Sequence, residues 1–202
     1  MKKYNVILFD EFETLDVFGP VEVIGTVEED KYEIGFFSEN GGIVTSVHNV
    51  QCVTKTFDEI LNSYVLFIPG GGTSYLTKDE LFLGKLKKLA DDAEYVHTVC
   101  TGSGLLAKTG FMDGMKATTN KLLYEWSAAF GPKVDWQVKA RWVKDGALYS
   151  SSGVSAGMDM TLDFIKDIHG YAEARRVADY IEYSWNEDST NDPFAELYQL
   201  DD

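Results

Sequence analysis

Basic residues, cysteines and long apolar runs are all scarce in this chain of 202 residues, and each scarcity removes a class of function. Eighteen Lys plus Arg stand against 33 Asp plus Glu, a formal charge of -15 at pH 7. That balance repels a phosphate backbone instead of releasing counterions from it, so neither nucleic acid nor an anionic membrane is an expected partner. Two cysteines, Cys52 and Cys100, do not make a disulfide framework. The histidines His48, His97 and His169 have no mutual spacing that suggests a metal site, and no metal is expected. No stretch approaches the roughly 18 to 20 apolar residues of a spanning helix. The apolar run Val6 to Phe9 is too short for the core of a signal peptide and is stopped by Asp10 and Glu11. A reducing cytoplasm is the expected compartment.

What is present is an ordinary globular composition, 45% hydrophobic and 25% charged. The length suits one domain spanning 1–202, with an acidic tail over 186–202. Short apolar runs, Tyr4 to Phe9, Tyr32 to Phe37, Tyr64 to Ile68 and Tyr95 to Val99, read as strands buried on both faces. Helical segments lie between them: Gly19 to Glu29, entered through Gly19-Pro20, and Lys78 to Asp91, with Leu81, Phe82, Leu86 and Leu89 at helical spacing. This alternation predicts a parallel sheet with crossing helices. Beyond Cys100 the pattern predicts a helix over Gly102 to Thr109, a strand over Met115 to Thr118, a helix near Lys121 to Phe130 and a hairpin over Val134 to Ser150. Closing helices follow over Ser155 to Ile168 and Tyr171 to Ser184. The polar tail is expected to dock back through Pro193-Phe194 and Leu197.

Three loops at the carboxyl ends of predicted strands carry candidate chemistry. In Val96-His97-Thr98-Val99-Cys100-Thr101-Gly102-Ser103-Gly104 a cysteine sits where an apolar strand meets a small-residue helix, the pattern of a nucleophile elbow. Helix N-terminal amides there favour a thiolate and are expected to lower the Cys100 pKa. By itself the position suits a buried structural cysteine equally well, and Cys52 is expected to be one. Ile68-Pro69-Gly70-Gly71-Gly72 is either a structural turn or a source of oxyanion donors together with the Thr101 amide. Asp16, shortly before Gly19-Pro20, is either a helix-capping or surface carboxylate or an acid. Their convergence on one sheet edge favours a site. His97, three residues before Cys100, should point to the opposite face.

These motifs together resemble the DJ-1/PfpI superfamily over nearly the whole chain. Lys116-Ala117-Thr118-Thr119 and Ser152-Gly153-Val154-Ser155-Ala156-Gly157-Met158-Asp159 are similar to its branch of isocyanide hydratases and the sensor-like domains of AraC-type regulators. The resemblance implies an α/β flavodoxin-like three-layer sandwich with a mostly parallel central sheet, and a homodimer. It implies Cys100, Asp16 and Thr101 as catalytic residues, Gly70, Gly71 and Gly153 as oxyanion or substrate-binding positions, a small-molecule substrate, and no cofactor. The peptidase-like branch has His where this chain has Thr101, and DJ-1 uses Glu where it has Asp16. The implied reaction adds water to a small isocyanide to give an N-formamide. In it the Cys100 thiolate attacks carbon, Asp16 acts as acid and base, and Gly71 donates its N–H to the adduct. A non-catalytic ligand or oxidation sensor, or a Cys-dependent hydrolase or glyoxalase-like enzyme, would use the same residues.

Overall fold

The structure, a computed structural model, describes residues 1–28 and 31–200. Its strands are β1 (Lys2–Ile7), β2 (Tyr32–Ser38), β3 (Asn40–Thr45), β4 (Gln51–Thr56), β5 (Ser63–Ile68), β6 (Ala93–Val99), β7 (Lys116–Ala117), β8 (Asp135–Trp136), β9 (Trp142–Asp145) and β10 (Leu148–Ser151). Its helices are α1 (Thr14–Gly25), α2 (Glu80–Asp91), α3 (Gly102–Lys108), α4 (Tyr124–Ala128), α5 (Ala156–His169), α6 (Tyr171–Tyr180) and α7 (Pro193–Leu197). The main sheet has eight strands in the order β3-β4-β2-β1-β5-β6-β10-β9. All pairs from β4 through β10 are parallel, and the edge strands β3 and β9 are antiparallel. Helices α1, α5 and α6 pack together on one face, and α2, α3 and α4 on the other. This is the flavodoxin-like sandwich, and it explains why Val6, Ile7, Val65, Leu66, Phe67 and Ile68 are all fully buried without alternation.

The first helix begins earlier than its Gly-Pro signal suggests. Glu13 is its extended N-cap, Thr14 opens it, and Pro20 lies inside it. Pro20 cannot donate to the carbonyl four residues back, so the helix gives up one internal bond, at Asp16. Tight packing accounts for this placement. A Cβ at Gly19 would meet Met158 Cγ at 2.8 Å, and one at Gly157 would meet Pro20 Cγ at 3.1 Å. The Gly19-Pro20 and Gly157-Met158 motifs are thus the close crossing of α1 and α5, which fixes the helix carrying Asp16. The expected continuation to Glu29 reaches a residue outside those described, and the helix itself ends at Gly25.

The expected hairpin over Val134 to Ser150 is two structures. Asp135–Trp136 pairs in parallel with Lys116–Ala117 as a separate ribbon, and only β9 and β10 form the hairpin. The tail also differs. Phe194 and Leu197 are 46% and 64% exposed, so they do not dock it. Backbone bonds do so instead: Arg141 N–H donates to Ser189 O at 2.8 Å and Asp192 N–H to Lys139 O at 2.7 Å. Asn186 N–H donates to Asp159 Oδ1 at 2.9 Å, and the buried Arg141 guanidinium holds Asp159 Oδ2 through Nε at 2.7 Å. Ala195 and Asp192 are the buried residues of this strap. Cys52, expected to be buried, is half-buried on β4 opposite Val44 at the antiparallel sheet edge.

Candidate active site

Cys100 ends β6 with a φ of +58°, a left-handed backbone that a side-chain-bearing residue adopts only at a cost of about 1–2 kcal/mol. The turn is held from several sides. Cys100 N–H donates to Ser151 O at 3.2 Å, and Thr119 Oγ1 donates to Cys100 O at 2.8 Å. Gly102 lets the chain pass the β5 terminus, since a Cβ there would lie 2.4 Å from Ile68 O. The elbow is therefore the conformation read from the sequence, and α3 starts directly behind the sulfur.

Asp16 reaches the same point from the first turn of α1 and is fully buried. Gly70 N–H donates to its Oδ2 at 2.9 Å, while Oδ1 has no hydrogen-bond partner. Burial pushes the Asp16 carboxyl well up, Glu13 adds to this, and the Gly70 amide and the Cys100 thiol pull it down. An acid is what such surroundings make of an aspartate. Cys100 departs from the sequence expectation. Burial pushes its thiol up, an ionised Asp16 pushes it further, and the Thr101 N–H and the Asn120 side chain oppose both. The donors at the helix terminus are opposed by the desolvation of a residue that is only 6% exposed. Two groups that both resist charge at contact share protons as a pair, and proton on Asp16 with charge on Cys100 is the arrangement chemistry requires.

The glycine turn is committed to the protein itself. Gly70 serves Asp16, and Gly71 N–H donates to Thr101 Oγ1 at 3.0 Å while that hydroxyl donates to Gly71 O at 3.2 Å. The amide expected to meet the adduct is thus occupied by Thr101. Gly71 also bridges to Phe12, and with φ of +136° it has room for no side chain: a Cβ would lie 2.2 Å from Glu11 O. Thr101 locks elbow and turn together and presents only its backbone N–H to the sulfur. Gly153 lies at the site but faces a residue the sequence reading did not single out. A Cβ there would sit 2.1 Å from Asn120 Nδ2. The signal available was position alone, since Asn120 directly follows Thr118-Thr119.

At the mouth, the partly exposed Glu13 faces His48 across 3.6 Å, and Thr14 Oγ1 lies 3.1 Å from His48 Nδ1. His97 points away from the site, as its spacing predicts, and packs on Phe164 of α5 with ring centroids 4.5 Å apart. Among the described residues no group of three His, Cys, Asp or Glu side chains could hold a metal ion. No helix among them is long and apolar enough to cross a membrane.

A strand-to-helix cysteine, an acid from the first helix and a glycine turn at one sheet edge are accompanied by a match of the DJ-1/PfpI family over residues 2–167. The chain belongs to the DJ-1/PfpI family. Among curated proteins it is similar to the isonitrile hydratase of Pseudomonas putida, 31% identical over 180 residues, which covers 88% of this chain and 77% of that protein. Among solved structures, a ThiJ/PfpI family protein from Pseudomonas syringae superposes with a TM-score of 0.83 at 26% identity, covering 92% of this chain and 76% of that one. Drosophila melanogaster DJ-1beta gives a TM-score of 0.79 at 20% identity, covering 91% of this chain and 99% of that one, a likeness of fold. Across such DJ-1/PfpI relatives the sandwich is common ground, so the reaction must be argued from the site.

Proposed function

We propose that this protein is a cysteine-dependent hydratase that adds water to a small isocyanide and releases an N-formamide. The observation that carries this reading is the buried contact of Cys100 with Asp16, a nucleophile beside a carboxyl whose burial favours its protonated form. The 31% identity to the isonitrile hydratase supports it. An isocyanide is small and uncharged, which suits a cysteine that is 6% exposed with the Glu13 carboxylate nearby.

In the first step the Cys100 thiolate forms an S–C bond to the terminal carbon, and the Asp16 proton moves to that carbon. This leaves a thioimidate and an Asp16 carboxylate. Water then adds to the same carbon, giving one proton to Asp16, which passes it to the nitrogen. The S–C bond breaks as the hydroxyl proton returns to Asp16, so formamide leaves and the starting pair of charges is restored. Thr101 holds the elbow against the glycine turn while its N–H steadies the sulfur. No step draws on a cofactor.

The test is a product assay with an alkyl isocyanide and, separately, with methylglyoxal. Formamide is the expected product. Lactate from methylglyoxal without formamide would replace this reading with the glyoxalase-like one, and neither product would leave Cys100 to a sensing role or to hydrolysis of another small molecule.

A further inference from the structure

We infer that the side-chain amide of Asn120 is the donor that faces the reacting sulfur of Cys100, in the place the glycine turn leaves unfilled, and that Gly153 lacks a side chain to make room for it. This rests on Cys100 being the nucleophile. The carboxamide is oriented by its other end, because Leu123 N–H donates to Asn120 Oδ1 at 2.9 Å. With the oxygen so occupied, the NH2 group is the end directed into the site, where it meets Gly153 and the Cys100 thiol. The neighbouring Thr119 side chain, through its Oγ1 bond to Cys100 O at 2.8 Å, ties this segment to the backbone of the elbow. The Gly70 and Gly71 amides are taken by Asp16 and Thr101. The polar hydrogens that remain for the sulfur are Thr101 N–H and Asn120 Nδ2–H, both of which lower the thiol pKa against its burial.

Asn120 is on this view a catalytic residue, since it touches the reacting atom. It stabilises the thiolate before attack and again when the S–C bond breaks and charge returns to sulfur; no bond of its own is made or broken. Gly153, expected to bind substrate or an oxyanion, acts through Asn120. Its φ lies outside the left-handed region, so its lack of a side chain is explained by the 2.1 Å approach and not by backbone conformation.

The experiment is a pH titration of the Cys100 thiolate by its ultraviolet absorbance, in a Cys52→Ser background and corrected against Cys100→Ser, for wild type, Asn120→Ala and Gly153→Ala. Isocyanide turnover is followed in parallel. A hydrogen bond to a charged group is worth about a tenfold ratio or more, so both variants should move the thiolate midpoint up by about one pH unit. Gly153→Ala keeps every functional group and only displaces the amide, so it decides the matter if Asn120→Ala does not fold. A midpoint unmoved in the folded variants overturns the assignment, because an amide that merely caps the turn at Leu123 would leave it in place. Shifted midpoints in a protein that turns over no isocyanide uphold Asn120 and reject the proposed reaction. Unshifted midpoints in an active hydratase do the reverse.

Discussion

Gly70 gives its backbone N–H to Asp16 Oδ2 at 2.9 Å, so the glycine turn after β5 serves the acid. An asparagine at position 16 can accept the same bond without carrying the proton. Asp16→Asn should therefore fold and lose roughly 10²- to 10⁴-fold in isocyanide turnover, the range general acid–base catalysis is worth. Iodoacetamide labelling of Cys100 should persist, because the amide cannot place a like charge beside the sulfur. Stability carries a second signature. The folded Asp16 pKa is raised, so above the unfolded value near 3.9 the native state holds a proton that the unfolded chain has lost. Its contribution to stability falls as pH rises above that value, and Asp16→Asn should gain on wild type as pH is raised from 4 in urea titrations. Unchanged turnover would remove Asp16 from the mechanism.

Gly71 and Gly70 should fail differently. At Gly71 an added methyl group meets Glu11 O at 2.2 Å and the φ is +136°, so Gly71→Ala must move backbone. Overpacking and strain of this kind cost about 2–4 kcal/mol together, visible as a lower urea midpoint. At Gly70 the methyl would meet Thr101 N and Oγ1 at 2.7 Å and Cys100 Cβ at 2.8 Å. Gly70→Ala should abolish turnover, with the loss of stability the smaller of the two. Equal losses of stability would contradict this division.

The fold was legible because three of its strands, β1, β5 and β6, hold short apolar runs whose two covered faces leave no alternation, whereas Tyr32 to Phe37, expected to be buried on both faces, is only partly covered with Glu33 exposed; the elbow was legible because Val99-Cys100-Thr101-Gly102 joins such a run to small residues. What escaped is longer in range. The expected entry at Gly19-Pro20 missed that Pro20 is placed by Gly157, far along the chain. Trp136 alternates with Trp142 in sequence, yet each belongs to a different sheet because Lys116–Ala117 claims the first. The sulfur was credited with its helix terminus, but its burial depends on Ser151, Thr119 and the glycine turn closing round it. Asn120 has no motif of its own; only the fold brings it to Gly153.

His97 should dominate the acid limb of stability. It is fully buried among Tyr4, Tyr149 and Phe164, its Nε2 has no partner, and burial lowers its pKa to about 3. A depressed folded value means the unfolded chain binds the extra proton between pH 6.5 and about 3. Stability is therefore full above pH 6.5 and falls with decreasing pH, by something on the order of 5 kcal/mol at the lower end. His97→Phe, which suits the aromatic surroundings, should flatten that limb in thermal melts taken from pH 7 to pH 4. An identical slope in both proteins would assign acid lability elsewhere.

We propose that two copies associate through the β3–β4 edge. Ile43 and Val53 face one another across the ladder yet are 62% and 77% exposed, and the partly exposed Val47 donates its N–H to Phe12 O beside the mouth. Exposed apolar pairs of this kind mark contact surfaces when they cluster. Light scattering at micromolar concentration should give twice the chain mass of 22.6 kDa, and Val53→Asp should halve it. A wild-type mass at the monomer value would exclude the association.

Glu13 should set both the pH profile and the charge preference of the site. It raises the pKa of Asp16 and of Cys100, and its partner at the mouth is the exposed ring of His48 at 3.6 Å. Glu13→Gln removes the repulsion felt by each ionised form, so both limbs of the turnover profile should move to lower pH. The same carboxylate repels an anionic substrate as it enters. Two unit charges about 4 Å apart in bulk water interact by about 1 kcal/mol, so wild type should disfavour a carboxylate-bearing isocyanide relative to a neutral one of equal size by about fivefold in kcat/KM. Glu13→Gln should bring that ratio close to one, and raising the ionic strength should erode the wild-type preference, since exposed charges are screened. A ratio indifferent to Glu13 and to salt would show that the mouth selects by shape alone.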